Sequence, residues 1–313
     1  MNGVLFSTDP IYLEHETGAH PERRERLVAI ERGLSLTAPD LVRSARRFAP
    51  ATIAEAAAAH DRAMLERSAE LAAAGGGWLD PDTRVSPRSF EAALTAAGAV
   101  AGATRAVIAG EATEAFCAVR PPGHHATHGR AMGFCIVNSI AVAARAALAA
   151  GLARVAIVDF DVHHGNGTQD IFWDDPAVLY VSLHRYPFYP GTGASDERGE
   201  GRGLGTTLNV PLRADTPAVA YHAKLLGALD AVARFRPELL LVSAGFDAYR
   251  EDPIGGLNLD VGDFAAIGAR LREVAAACCG GRIVSALEGG YHLGQVGACA
   301  AAYFLQSRVP KSS

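Results

Sequence analysis

Short apolar runs alternate with stretches whose apolar positions recur every three or four residues, nearly from one end of the chain to the other. The runs at residues 4–6, 114–119, 155–160, 178–183, 208–210, 239–242 and 283–287 read as strands. Helical periodicity occupies residues 21–34, 86–109, 139–150, 216–235, 261–278 and a last segment from about 293. The ends carry matching signals. Pro21 suits a first helical turn, Thr52 and Glu55 form a capping-box pattern before an alanine-rich helix, and Gly151 closes the helix that precedes it. Strand–helix alternation predicts an α/β fold with a largely parallel sheet and helices on both faces. No repeat or long linker interrupts residues 1–313, so one domain is expected, with the glycine-rich stretch 190–205 as a surface loop.

In open α/β sheets ligands bind beyond the carboxyl ends of the strands. Four polar loops leave that edge here. His124 and His125 follow the run at 114–119, Asp161 and His163 follow 155–160, Asp247 follows 239–242, and Tyr291 follows 283–287. An isolated Asp-x-His is usually a loop cap, and a lone His-His or Gly-Gly-Tyr is usually surface. Convergence of all four on one edge favours a site.

Within that site Asp161, His163 and Asp247 are the metal candidates. Two carboxylates and one imidazole leave coordination positions open, as catalytic zinc sites do, although iron(II) is chemically admissible. Asp159 lies on the same face of an extended backbone as Asp161 and is suited to accept a hydrogen bond from an imidazole. Of His124 and His125, one as general base and the other as acid or electrostatic partner is the economical division. The glycines before Tyr291 permit a tight turn that brings its phenol inward, where it can polarise a carbonyl. Gly133-Phe134-Cys135 and Phe188-Tyr189-Pro190-Gly191 supply aromatics for a narrow apolar channel. Metal-activated water with histidine acid–base groups implies hydrolysis.

Composition narrows the classes. The chain has 313 residues, is 49% hydrophobic and carries a formal net charge of −5, without a basic face for nucleic acid. No apolar run is long enough for a membrane span, and the first residues lack the pattern of a signal peptide, so a cytoplasmic protein is expected. Five cysteines without a C-x-x-C pair read as reduced thiols.

The strings Arg120-Pro121-Pro122-Gly123-His124-His125, Gly133-Phe134-Cys135, Asp159-Phe160-Asp161-Val162-His163-His164-Gly165-Asn166, Gly245-Phe246-Asp247 and Glu288-Gly289-Gly290-Tyr291 resemble, in order, those of the histone deacetylase family. The flavour is that of class II enzymes and bacterial histone deacetylase-like or acetylpolyamine amidohydrolases. This resemblance implies the arginase/deacetylase fold, a three-layer α/β/α sandwich around an eight-stranded, mostly parallel sheet. It implies one zinc on Asp161, His163 and Asp247, and pairs His124 with Asp159 and His125 with Asn166, where class I relatives carry Asp. Tyr291 would bind the scissile carbonyl, and Phe134 and Tyr189 would flank an acyl-lysine tunnel. Ser86 would receive the substrate amide N–H. Potassium is implied near Asp159, Asp161, His163, Ser182 and Leu183, and again near Phe172. Ile254 falls where polyamine-preferring relatives carry glutamate, which leans toward acylated lysine in a peptide or protein over an acylated small amine. The rivals are an acetylpolyamine deacetylase, a two-manganese ureohydrolase and a catalytically inactive acyl-lysine reader. Oligomeric state is not written in the sequence.

Overall fold

A computed structural model describes residues 3–305. The chain opens with β1 (Gly3–Ser7), a 3₁₀ turn over Pro10–Glu14 and α1 (Glu25–Thr37). Here α1 starts later than the periodicity suggests. Glu22 is buried with Arg26 and Arg120 and accepts from both, which holds the residues before the helix in a turn. Next come α2 (Pro39–Arg43), α3 (Ile53–Ala56), α4 (Arg62–Ala73), β2 (Gly77–Trp78) and β3 (Arg84–Val85). The Thr52–Glu55 capping box forms, but its helix lasts one turn because His60 is drawn into the core; Asp61 caps the longer helix that follows.

The remaining elements are α5 (Ser89–Ile108), β4 (Ala112–Cys117), α6 (Ser139–Ala149), β5 (Val155–Asp159), α7 (Asn166–Ile171) and β6 (Val178–Arg185). They continue with β7 (Thr207–Leu212), α8 (Ala218–Phe235), β8 (Leu239–Ala244), α9 (Val261–Cys279), β9 (Ile283–Leu287) and α10 (Val296–Leu305). Each strand expected from an apolar run is present, within about two residues of its predicted limits.

Seven strands form one sheet in the order β1-β4-β9-β8-β5-β6-β7, and every neighbouring pair is parallel. The parallel character is as expected, but the expected eighth strand is absent among the described residues. The extra extended segments, β2 and β3, pair only with each other, antiparallel, at the rim. On one face α5 packs against α6; on the other, α1, α10, α9 and α8 form a row. With both faces covered, β5, β8 and β9 are buried throughout, which is why they read as continuous apolar runs. The five cysteines are free thiols, and no described helix is long and apolar enough to cross a membrane.

Candidate active site

Four adjacent strands, β4, β9, β8 and β5, deliver the polar loops from their carboxyl ends. The loops after β5 and β8 bring Asp161, His163 and Asp247 together, all buried, with a donor atom of each within 4.8 Å of the others. His163 Nδ1 lies 3.1 Å from both Asp161 Oδ1 and Asp247 Oδ2. Backbone N–H groups orient the two carboxylates: His163 and Gly289 donate to Asp161, and Val162 donates to Asp247. Gly245 and Gly289 matter because a Cβ at either position would overlap these carboxylates.

Burial lowers the His163 imidazole, but hydrogen bonds to Asp161 and Asp247, with their charges, outweigh it and raise the group to about 9. Burial and the charge of Asp161 push Asp247 up to about 7. Two carboxylates held this close out of water call for a cation. Oxygen and imidazole donors, three in number, fit a divalent ion such as zinc with coordination positions left for substrate.

The tandem histidines diverge in environment. His124 Nδ1 is 3.0 Å from Asp159 Oδ2, which also accepts from the Tyr180 hydroxyl at 3.0 Å. His125 Nδ1 is 2.8 Å from Asn166 Oδ1, at the first turn of α7. Burial opposes charge on both rings. For His124 the carboxylates of Asp161 and Asp159 overcome it and raise the imidazole to about 10. For His125 burial prevails, helped by the neighbouring His124 and His163 rings, and its value falls well below the ordinary one.

Tyr291 is buried, and Arg26 lies under its ring with the guanidinium carbon 4.6 Å from the centroid. Burial holds the phenol well above its ordinary value, with Arg26 partly opposing, so it remains an O–H donor. Arg26 also donates to the carbonyls of Gly290 (2.7 Å) and Glu288, pinning the turn on either side. The phenol ring meets Phe134 edge-on at 6.0 Å. Gly133 and Phe134 both have positive φ, 58° and 70°, and the Phe134 N–H donates to Thr83 Oγ1. A Cβ at 133 would run into the His125 ring. Tyr189 meets His125 edge-on at 5.1 Å, and Phe188 stacks on His163 at 5.2 Å.

Among the described residues no hydrogen bond joins the Ser86 side chain to the triad, the tandem histidines or Tyr291. Ser86 is buried, receives the Glu16 N–H, and shares its hydroxyl with Ser89 and the Glu14 carbonyl. Ile254, half-buried, donates its N–H to Asp252 in the loop after β8. Three participants escaped the motif reading. Asp252 accepts from four backbone N–H groups, those of Ile254, Gly255, Tyr291 and His292. Glu288, fully buried, accepts from the N–H groups of Gly123 and His124 and from the Ser243 hydroxyl. Arg26 is the third. An acidic side chain beside a glycine-rich loop was the available signal for Glu288, since nothing apolar needs an acid at a strand end.

A profile of the histone deacetylase domain matches residues 20–307. Among similar proteins, "Histone deacetylase 10, chloroplastic" of Oryza sativa subsp. japonica is 40% identical over 309 residues, covering 93% of this chain and 70% of the relative. The "Histone deacetylase-like amidohydrolase" of Pseudomonas aeruginosa is 43% identical over 282 residues, covering 89% of this chain and 73% of its own length. Two solved structures share the fold. One is the HDA15 HD domain, at TM-score 0.89 and 36% identity over 96% of this chain and 87% of that one. The other is an acetylpolyamine aminohydrolase from Burkholderia pseudomallei, at TM-score 0.87 and 31% identity over 96% of this chain and 98% of that one. On the motifs, the fold and these likenesses, the chain belongs to the histone deacetylase family.

Proposed function

We propose that residues 1–313 form one catalytic domain that hydrolyses the amide of an ε-acyl-lysine, with zinc held by Asp161, His163 and Asp247. The observation that carries this reading is the meeting of that buried triad with two differently partnered histidines and an inward tyrosine. A divalent ion in such a triad supplies a Lewis acid and activates water near neutral pH.

The remaining roles fall to the chain's own groups. His125, neutral and with Asn166 accepting from its Nδ1–H, presents a basic Nε2 that takes a proton from the attacking water and returns it to the leaving amine. An amide partner stabilises an imidazolium less than a carboxylate does, so His125 rests neutral and holds the proton only in passing, while Asp159 orients His124 and supports charge on that ring. Tyr291 donates to the acyl oxygen as negative charge develops there. Phe134 and Tyr189, with Phe188, flank the acyl-lysine stem and keep water out. Potassium near Asp159, Ser182 and Leu183 would stiffen the strand ends below.

Acetylpolyamine deacetylation is the second reading, favoured by the likeness to the acetylpolyamine aminohydrolase and by the exposed Glu251 near Ile254. Against it, Ile254 offers an inner ammonium no partner. Kinetics on an acetyl-lysine peptide and on N8-acetylspermidine decide the matter, with metal content measured on the same preparation. The expected result is one zinc per chain and the larger kcat/KM for the peptide. A large advantage for the polyamine overturns the substrate, and two manganese ions per active chain overturn the chemistry.

A further inference from the structure

Helices α1 and α10 cross so closely at Gly33 and Gly297 that a Cβ at either would overlap the backbone of the other helix. Their outward faces share one open groove of about 810 Å³, lined among others by Val28, Leu36, Leu293, Ala298 and Ala301. Val28 is 53% exposed and Leu36 82%. No residue of α10 is charged. Contiguous exposed apolar surface of this kind on a globular domain marks a contact face.

Charge says what would cover it. Glu25 and Arg32 both line the groove and lie two helical turns apart on one face of α1, with Val28 between them. Among the described residues Glu25 is ion-paired with the exposed Arg23 alone, at 3.8 Å, and the Arg32 guanidinium has no partner. A second α1 laid antiparallel across the first sets each Glu25 against the Arg32 of the second copy. A two-fold contact requires this reciprocity.

We propose that this face seats a second copy of the chain in a two-fold dimer. Burial of Val28, Leu36 and the alanine face of α10 drives association, while the exposed Glu25–Arg32 pairs fix the antiparallel register more than they strengthen it. The face lies behind the catalytic loop: Arg26 points inward from the same helix to Tyr291, and Leu293 follows Tyr291 by two residues.

Sedimentation analysis of the full chain at micromolar concentration tests this. The wild-type protein is expected as a dimer. Arg32→Glu and Glu25→Arg should each weaken self-association at least about tenfold, by setting like charges together. Mixing these two variants should restore a dimer, because both cross-pairs then become attractive. Leu36→Asp, at a highly exposed position, is the independent variant and should be monomeric with the wild-type circular dichroism spectrum, melting no lower than the loss of association requires. A wild-type monomer overturns the proposal, and so do single variants that remain dimeric. Two monomeric variants that stay monomeric on mixing overturn the antiparallel pairing.

Discussion

Asp252 accepts the backbone N–H of Tyr291 at 2.7 Å, so a residue from the loop after β8 fixes the turn that carries the phenol after β9. The same oxygen accepts from His292, and the other oxygen from Ile254 and Gly255. Asp252→Asn would turn an amide NH₂ toward one pair of N–H donors. Turnover is expected to fall by about ten- to a hundredfold through misplacement of the phenol. Zinc content should be retained. Wild-type kcat in Asp252→Asn would show that Tyr291 does not depend on this anchor.

Removing the phenol oxygen isolates the electrophilic role. Tyr291→Phe keeps the packing on Phe134 and Arg26 and should leave metal content, melting temperature and peptide affinity nearly unchanged. Its kcat is expected to drop by roughly a hundredfold or more, about 3 kcal/mol, as for loss of one oxyanion donor. Near-wild-type turnover would remove Tyr291 from the chemistry.

These two residues also mark how far the sequence could be read. Tyr291, Asp247, Asp161 and the histidines were legible because each follows an apolar run and the carboxyl-edge rule gathers such loops. The pairings His124–Asp159 and His125–Asn166, implied by resemblance, coincide with the contacts found. Asp252, Glu288 and Arg26 were not legible, since their partners are set by strand order: α10 lies over β9, where Tyr303 hydrogen-bonds Ser285, and α1 beside α10 brings Arg26 to residues 288 and 290. Nor could periodicity reveal α7 or the β2–β3 pair, which are too short to display a period. The hydrogen bonds of Ser86 to Glu16, Ser89 and Glu14 were hidden for another reason. A hydroxyl satisfied by neighbours in the fold looks, in sequence, the same as a free one.

Glu288 tests whether the tandem-histidine turn needs its buried acceptor. Burial pushes this carboxyl up to about 7, His124 opposing, while three donors point at it. Glu288→Gln presents an NH₂ to at least one of those donors. A stability loss of about 1–3 kcal/mol is expected from the group left unsatisfied. Chemical denaturation measures it, and an unchanged midpoint would mean that the turn holds itself.

His60 makes stability depend on pH. Its Nδ1 lies 2.8 Å from the Thr127 carbonyl and its Nε2 accepts the Asn138 N–H at 2.9 Å, an arrangement that only the neutral ring satisfies. Burial accordingly lowers it to about 4 from an ordinary 6.5. Below pH 6.5 the unfolded chain takes the proton first, so stability is whole above 6.5 and declines as pH falls toward 4. The slope is up to about 1.4 kcal/mol per pH unit for each such group. His164 and His184, lowered to about 3 and about 4 chiefly by burial, add to it. His60→Gln should melt with a shallower dependence across this window. An unaltered slope would mean that His60 does not titrate with unfolding.

Metal removal should act on stability as well as turnover. Stripping the ion with a chelator leaves Asp161 and Asp247 facing each other with only His163 between them. The melting temperature should fall, and added zinc should restore it in proportion to occupancy. Identical melting curves with and without chelator would mean that the triad holds no ion.

The last strand among the described residues is a central one: β9 lies between β4 and β8. During synthesis, therefore, β1 and β4 wait as one fragment and β8, β5, β6 and β7 as another, each with an unpaired parallel edge, until residues 283–287 leave the ribosome. Only then can Gly289 close over Asp161, and only then can Tyr291 arrive. A nascent or truncated chain that stops before β9 bears two sticky edges and half a catalytic centre. Such species are prone to aggregate or to need a chaperone.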